Sequence, residues 1–153
     1  MSHIEWTQDL EIGIGVIDGQ HRRIVDYINT LNDVSQIPDR EVVGQVIGDL
    51  IDYTYSHFAF EEALMEEAGY EYLTIHQNTH KVFCERIDQF RKRFDDGDEV
   101  AEPLAELLRT WLINHIVSDD ESYADIVRAK MPRIENKNQG NWLSNTAKRF
   151  FTY

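Results

Sequence analysis

The sequence predicts an all-α protein, an up-down-up-down four-helix bundle with an extended N-terminal arm and a short C-terminal extension. Three observations carry this reading. Apolar residues recur at i, i+3, i+4 and i+7 over four long stretches. The breaks between those stretches are short and hold turn formers, Pro38, Gly69 and the run Asp95-Asp96-Gly97-Asp98. No stretch shows the apolar–polar alternation of a half-buried strand. A chain of 153 residues with 42% apolar content can bury one sizeable core, and long amphipathic helices on short connections pack as antiparallel neighbours.

Residues 1–17 lack helical periodicity and are interrupted by Gly13 and Gly15, yet Ile4, Trp6, Leu10, Ile12, Ile14, Val16 and Ile17 are apolar. They are expected to lie as an arm across the helical body. Asp18 is a suitable N-cap for a first helix running to about Ser35, with His21, Ile24, Val25, Ile28 and Leu31 on one stripe. Pro38-Asp39 opens a second helix to about Ala68. Its inward face carries Val43, Ile47, Leu50, His57, Phe58, Glu61 and Leu64, and Gly44 and Gly48 are either tolerated breaks or places of close helix approach. A third helix is expected from about Glu71 to Phe94, with Leu73, His76, His80, Phe83, Ile87, Phe90 and Phe94 inward. A fourth should span roughly Glu99 to Ala129, carrying Leu104, Leu108, Trp111, Leu112, His115, Ile116, Tyr123 and Val127, until Pro132 ends it. Residues 1–131 then form the arm and bundle, and residues 132–153 a C-terminal extension.

The formal charge of −13 argues against nucleic acid and anionic membranes as partners, since both reward clustered Lys and Arg. The single cysteine, Cys84, excludes an internal disulfide and suits a reducing cytosol. The start Met-Ser-His-Ile-Glu-Trp has no signal-peptide pattern, and no apolar run reaches membrane-spanning length. The expectation is a cytoplasmic protein without membrane insertion.

Five of the six histidines, His21, His57, His76, His80 and His115, fall inside the apolar stripes. His57 and Glu61 are four residues apart, as are His76 and His80, so each pair shares a helical face and can grip one ion. Asp119 or Asp120 supplies a further carboxylate after His115. In an up-down-up-down bundle all these positions fall at about the same level. Burying so many imidazoles without a ligand would strand polar nitrogens at roughly 1–3 kcal/mol each. Five imidazoles and two carboxylates are more than one ion needs and a natural supply for two. Imidazole with carboxylate suits iron, zinc, copper or manganese, so spacing alone does not name the metal.

The segments Ile17-Asp18-Gly19-Gln20-His21, His57-Phe58-Ala59-Phe60-Glu61-Glu62, His76-Gln77-Asn78-Thr79-His80 and Trp111-Leu112-Ile113-Asn114-His115-Ile116-Val117-Ser118-Asp119-Asp120 resemble the hemerythrin family, specifically its single-domain bacteriohemerythrins. The likeness fills all seven ligand positions in the family's order and runs from the arm to about Ala129. It implies reversible O2 binding at two non-haem iron ions (Fe2+/Fe3+) joined by an oxo or hydroxo bridge. Carried over residue by residue, His76, His80 and His115 would hold one iron and His21 and His57 the other, with Glu61 and Asp120 bridging. Ile24, Phe58, Trp111, Leu112 and Ile116 match or neighbour the family's apolar O2 pocket.

On ideal helix geometry Asp119, four residues after His115, lies about 40° away around the axis, and Asp120 about 140° away. The family's pattern selects Asp120, and a locally widened π-helical turn would reconcile the two. No Glu-x-x-His pair of the ferritin type occurs in the sequence, and a site with more imidazoles than carboxylates favours ferrous iron and O2 binding over O–O cleavage.

The reading is an oxygen-carrying, storing or buffering protein rather than an enzyme, with room for minor peroxidase- or oxidase-like activity. Its partners are O2 and a protein acceptor of oxygen, and the chain is expected to be a monomer. The alternatives are an oxygen or redox sensor or interaction module, and a di-iron oxidase, peroxidase or nitric oxide reductase. In the extension, four basic residues against one acid give a net +3 and leave −16 on residues 1–131. Trp142, Leu143, Phe150, Phe151 and Tyr153 are expected to pack on that acidic bundle.

Overall fold

The computed structural model describes residues 3–136 and 142–151 of the chain. Four helical rods form the bundle. They are α1 (Gly15–Val34), α2 (Arg40–Ala68), α3 (Leu73–Asp95), and a continuous fourth rod made of α4 (Ala101–Asn114), a π-helical segment (His115–Asp120) and α5 (Glu121–Asn136). A short α6 (Trp142–Phe150) follows. No strand occurs among the described residues. One core runs the length of the bundle and draws on every rod, from Ile17 and Ile28 through Leu50, Phe60 and Leu64 to Phe83, Ile87, Leu104, Tyr123 and Val127.

The α2 boundaries follow from local chemistry. The Asp39 carboxylate accepts hydrogen bonds from the Glu41 and Val42 amides, covering two of the donors that a helix start leaves open. Gly69 ends the helix at φ +74, a left-handed conformation that costs other residues strain. A Cβ on Gly44 would stand 3.1 Å from Phe94 Cε1, whereas one on Gly48 would meet nothing within 4 Å. Gly44 is therefore the point of close approach between α2 and the end of α3, and Gly48 is only a tolerated break.

The structure corrects the expected start of α1. The helix begins at Gly15, and Asp18 lies inside it rather than capping it. Its carboxylate instead accepts from the Ile12 and Gly13 amides at 2.8 and 3.1 Å, fastening the arm to the bundle. Arg128 adds a second tie by donating to the Ile12 carbonyl. Ile4, Leu10, Ile12 and Ile14 are buried along the arm, which holds one 3-10 turn (Gln8–Leu10). Helices α3 and α4 each start two residues later than the periodicity suggests.

The expected stop at Pro132 is also corrected, because α5 continues through it to Asn136. Proline lacks the amide for one i→i−4 bond, and the buried Ile134 beyond it gives the helix an apolar reason to go on. Helix α6 packs on the bundle through Trp142, Leu143, Ala147 and Phe150, with Phe151 beside them. Trp142 and Phe151 flank the Phe60 ring at 6.4 and 6.1 Å, and Phe151 lies 5.1 Å from Tyr53. Tyr153 lies outside the described residues.

Candidate metal centre

Each rod brings its donors to one level. His21 sits in the second turn of α1, His57 and Glu61 on one face of α2, His76 and His80 on α3, and His115 and Asp120 at the two ends of the π segment. All seven are buried, His76 most exposed at 5% and His21, His57, Glu61 and Asp120 at 0%. The wide turn settles the register between the two aspartates. Asp120 points inward with its carboxylate fully buried, while the Asp119 side chain is 46% exposed and turns back to its own helix.

The carboxylates divide their oxygens between two groups of histidines. Glu61 Oε1 lies 2.9 Å from His76 Nε2 and 3.0 Å from His80 Nε2. Glu61 Oε2 faces His57 Nε2 at 3.3 Å and His21 Nε2 at 3.7 Å. Asp120 repeats the division, with Oδ1 at 3.1 Å from His76 Nε2 and 3.0 Å from His115 Nε2, and Oδ2 at 3.1 Å from His21 Nε2. One ligand atom from each of Glu61, His76, His80, His115 and Asp120 fits within 4.8 Å of all the others, and His21, His57 and Glu61 form a second such group. The two adjoining groups share Glu61, and Asp120 reaches the second through Oδ2, beside His21.

Outside this ring of donors, other polar groups aim the imidazoles. His57 Nδ1 donates to Gln20 Oε1 at 2.7 Å, His80 Nδ1 to Glu62 Oε2 at 2.9 Å, and His115 Nδ1 to Asp119 Oδ2 at 2.8 Å. An oxygen acceptor on Nδ1 keeps the proton there and leaves the Nε2 lone pair directed at the centre, as metal-binding histidines require. The Tyr123 hydroxyl donates to Glu61 Oε2 at 3.0 Å. Gln20 and Glu62 occur in the sequence segments above and Tyr123 on the inward stripe, but helical spacing does not reveal which polar neighbour turns to which imidazole.

Several donors lack a partner. Both ring nitrogens of His21, His57 Nε2 and both oxygens of Asp120 are buried with no hydrogen bond, and the Nε2 atoms of His80 and His115 face each other at 3.1 Å. Buried polar atoms are nearly always satisfied. Paired imidazole lone pairs and carboxylate oxygens around a common point are satisfied together by cations, so the residues present fit a dinuclear centre.

As acids and bases the groups form one coupled cluster. Burial disfavours charge on His21, His76 and His115, but the Asp120 and Glu61 carboxylates beside them outweigh it and raise them to about 9, 9 and 10. His57 is shifted down by its burial. Burial also opposes ionisation of Glu61 and Asp120, yet the surrounding imidazoles hold both below the ordinary carboxylate range. The carboxylates are thus ready as anionic ligands, and the raised histidines must give up protons to bind metal.

Aromatic rings wall the three-histidine side. Phe58 stacks on His80 at 4.0 Å, Trp111 on His115 at 4.2 Å and Phe83 on Trp111 at 3.7 Å. Ile24, Leu112 and Ile116 are buried in the same core.

The hemerythrin HHE cation binding domain profile matches residues 12–127. A bacteriohemerythrin of Pseudomonas paraeruginosa is 47% identical over 152 residues, 99% of either chain. One of Methylococcus capsulatus is 31% identical over 131 residues, covering 84% of this chain and all of that relative. A crystal structure of wild-type hemerythrin superposes with a TM-score of 0.79 at 30% identity, covering 82% of this chain and 98% of that one.

Proposed function

Because the chain belongs to the hemerythrin family, we propose that it binds O2 reversibly at a pair of non-haem iron ions, and so carries, stores or buffers oxygen in a bacterial cell. His76, His80 and His115 would hold one iron, His21 and His57 the other, and Glu61 and Asp120 would bridge them. The pair, when bound, supplies the electrons that make O2 uptake and release possible. The observation that carries the reading is the division of oxygens described above, with Oε1 and Oδ1 on the three-histidine side and Oε2 and Oδ2 on the other.

The residues around the metals have separate tasks. Gln20, Glu62 and Asp119 orient imidazoles, and Tyr123 fixes the Glu61 carboxylate. Ile24, Phe58, Trp111, Leu112 and Ile116 line the O2 pocket in this reading. Their apolar surfaces exclude water and protons and so slow loss of the bound gas as peroxide. Two carboxylates against five imidazoles leave the centre little drive toward O–O cleavage, which favours carriage over enzyme chemistry.

The reading extends to a monomer that passes O2 to a protein acceptor in the cytoplasm. A lone cysteine suits that compartment, and no described helix is long and apolar enough to cross a membrane. An oxygen electrode tests the proposal: ferrous protein should take up O2 to a fixed stoichiometry and then stop. Continued O2 consumption in the presence of a reductant would instead establish an oxidase.

A further inference from the structure

A groove of about 680 Å³ opens where α2 turns into α3 and is closed on its other side by the π segment and α5. His76, the most exposed of the seven donors, lines it. Tyr72 and Ile75 stand at its rim, 53% and 65% exposed although both are large and apolar in body. Glu71, Asp119 and Asp125 contribute carboxylates, and neither Lys nor Arg lines the groove. Arg128 pairs with Asp125, which leaves Glu71 and Asp119 as the groove's charge on a body already at −16.

We infer that this groove is the docking surface for a basic, one-electron donor protein that returns the oxidised iron pair to its ferrous, O2-binding state. The inference rests on the di-iron reading above. Electron tunnelling falls steeply with distance, so a donor gains most by docking where a candidate ligand imidazole lies directly beneath the surface, and His76 lines this groove. The acidic lining selects a positively charged partner and speeds its encounter. Tyr70 and Tyr72, whose rings meet at 5.8 Å, offer faces on which Lys or Arg side chains rest favourably. Exposed aromatic and aliphatic side chains beside charge are also typical of interface anchors. In each encounter the donor loses one electron and one ferric ion gains it, and no bond within the chain is made or broken. Two encounters reduce the pair. A second copy of this chain is a poor occupant, because its surface is acidic too.

The test uses iron-loaded protein in its ferric form and a charge-reversed variant, Glu71→Lys with Ile75→Lys, which alters the rim and no proposed ligand. Stopped-flow reduction by hexaammineruthenium(II), a cationic donor, should slow several-fold in the variant, with the difference shrinking as salt is added, whereas reduction by ferrous-EDTA, an anionic donor, should accelerate. Separately, carbodiimide cross-linking of the iron-loaded protein to a basic c-type cytochrome, read by mass spectrometry, should join cytochrome lysines to Glu71 or Asp119. Equal response of both donors, cross-links confined to other faces, or a dimer of the chain that the variant dissolves would overturn the inference. A chain that binds no iron pair would overturn the di-iron reading instead, and iron content measured beforehand separates the two failures.

Discussion

Each proposed ligand imidazole whose outer nitrogen has a partner is aimed by a residue from elsewhere in the chain or from its own next turn. Removing such a partner leaves the ring free to rotate and lowers ligand basicity. Glu62→Ala and Gln20→Ala should therefore keep the fold but weaken metal binding by about 10–100-fold, as measured by competition with a chelator. Asp119→Ala belongs with them, since it frees His115 Nδ1 while leaving every inward oxygen in place. Asp120→Ala removes two of those oxygens, and metal analysis should find the pair lost. An Asp119→Ala protein that loses its iron while Asp120→Ala keeps it would reverse the assignment. Cys84 gives a control away from the centre. Burial, with the nearby Asp88, Glu62 and Glu85 charges, pushes its thiol up to about 12, so iodoacetamide at pH 8 should label it far more slowly than a free thiol. At this scale the pairs His57/Glu61 and His76/His80 were legible in the sequence because four-residue spacing fixes which side chains share a face. Their partners were not, because spacing says nothing of rotamers or of what faces them: Gln20 serves His57 across a helix interface, and Glu62 serves His80 on another rod.

Among the elements, the π segment matters most to function. An α-helical turn would bring Asp119 toward the same side as His115, and the wide turn brings Asp120 there instead. Helical spacing alone poses the conflict, since local propensity does not distinguish an α turn from a π turn of the same residues, and it was the family resemblance that selected Asp120. Asp18 misleads for a related reason. Its position suits a helix cap, but the helix starts earlier and the carboxylate is drawn to the two arm amides that would otherwise lack acceptors. Pro132 misleads because one lost hydrogen bond late in a helix is offset by packing beyond it. Gly69, by contrast, was legible as a stop and should be hard to replace. With φ at +74 and nothing within 4 Å of an added Cβ, Gly69→Ala adds conformational strain without a clash, about 1–2 kcal/mol. The midpoint of thermal unfolding should drop by about 2–4 °C per kcal/mol in a chain of this size. Helix α6 covers Phe60 and Tyr53 on the back of α2. Truncation after Asn136 should lower the unfolding temperature and leave iron stoichiometry unchanged, because every donor lies on the bundle rods.

The molecule as a whole couples folding, protonation and metal binding through one buried cluster. His21, His76 and His115 hold their protons to about 9, 9 and 10, above the ordinary 6.5, because the shared carboxylates favour the charged rings. Iron must displace those protons, so binding should release them and apparent affinity should climb with pH, levelling off above about 10. A pH indicator in weakly buffered solution follows the release directly, and an affinity independent of pH between 6.5 and 9 would contradict the cluster's electrostatics. The bundle and the level at which its donors meet could be read from amphipathic stripes and short turns. The packing of the extension could be read only as an apolar tendency, since a nine-residue helix carries too few turns for its periodicity to fix a docking face. The central claim is reversible oxygen binding by the iron pair, and the most direct measurement is the visible absorption spectrum of iron-loaded protein through repeated exposure to O2 and to argon. A charge-transfer band that appears with O2, vanishes under argon and returns undiminished over several cycles is the expected result. A spectrum that moves once to a ferric form and does not return under argon would contradict it.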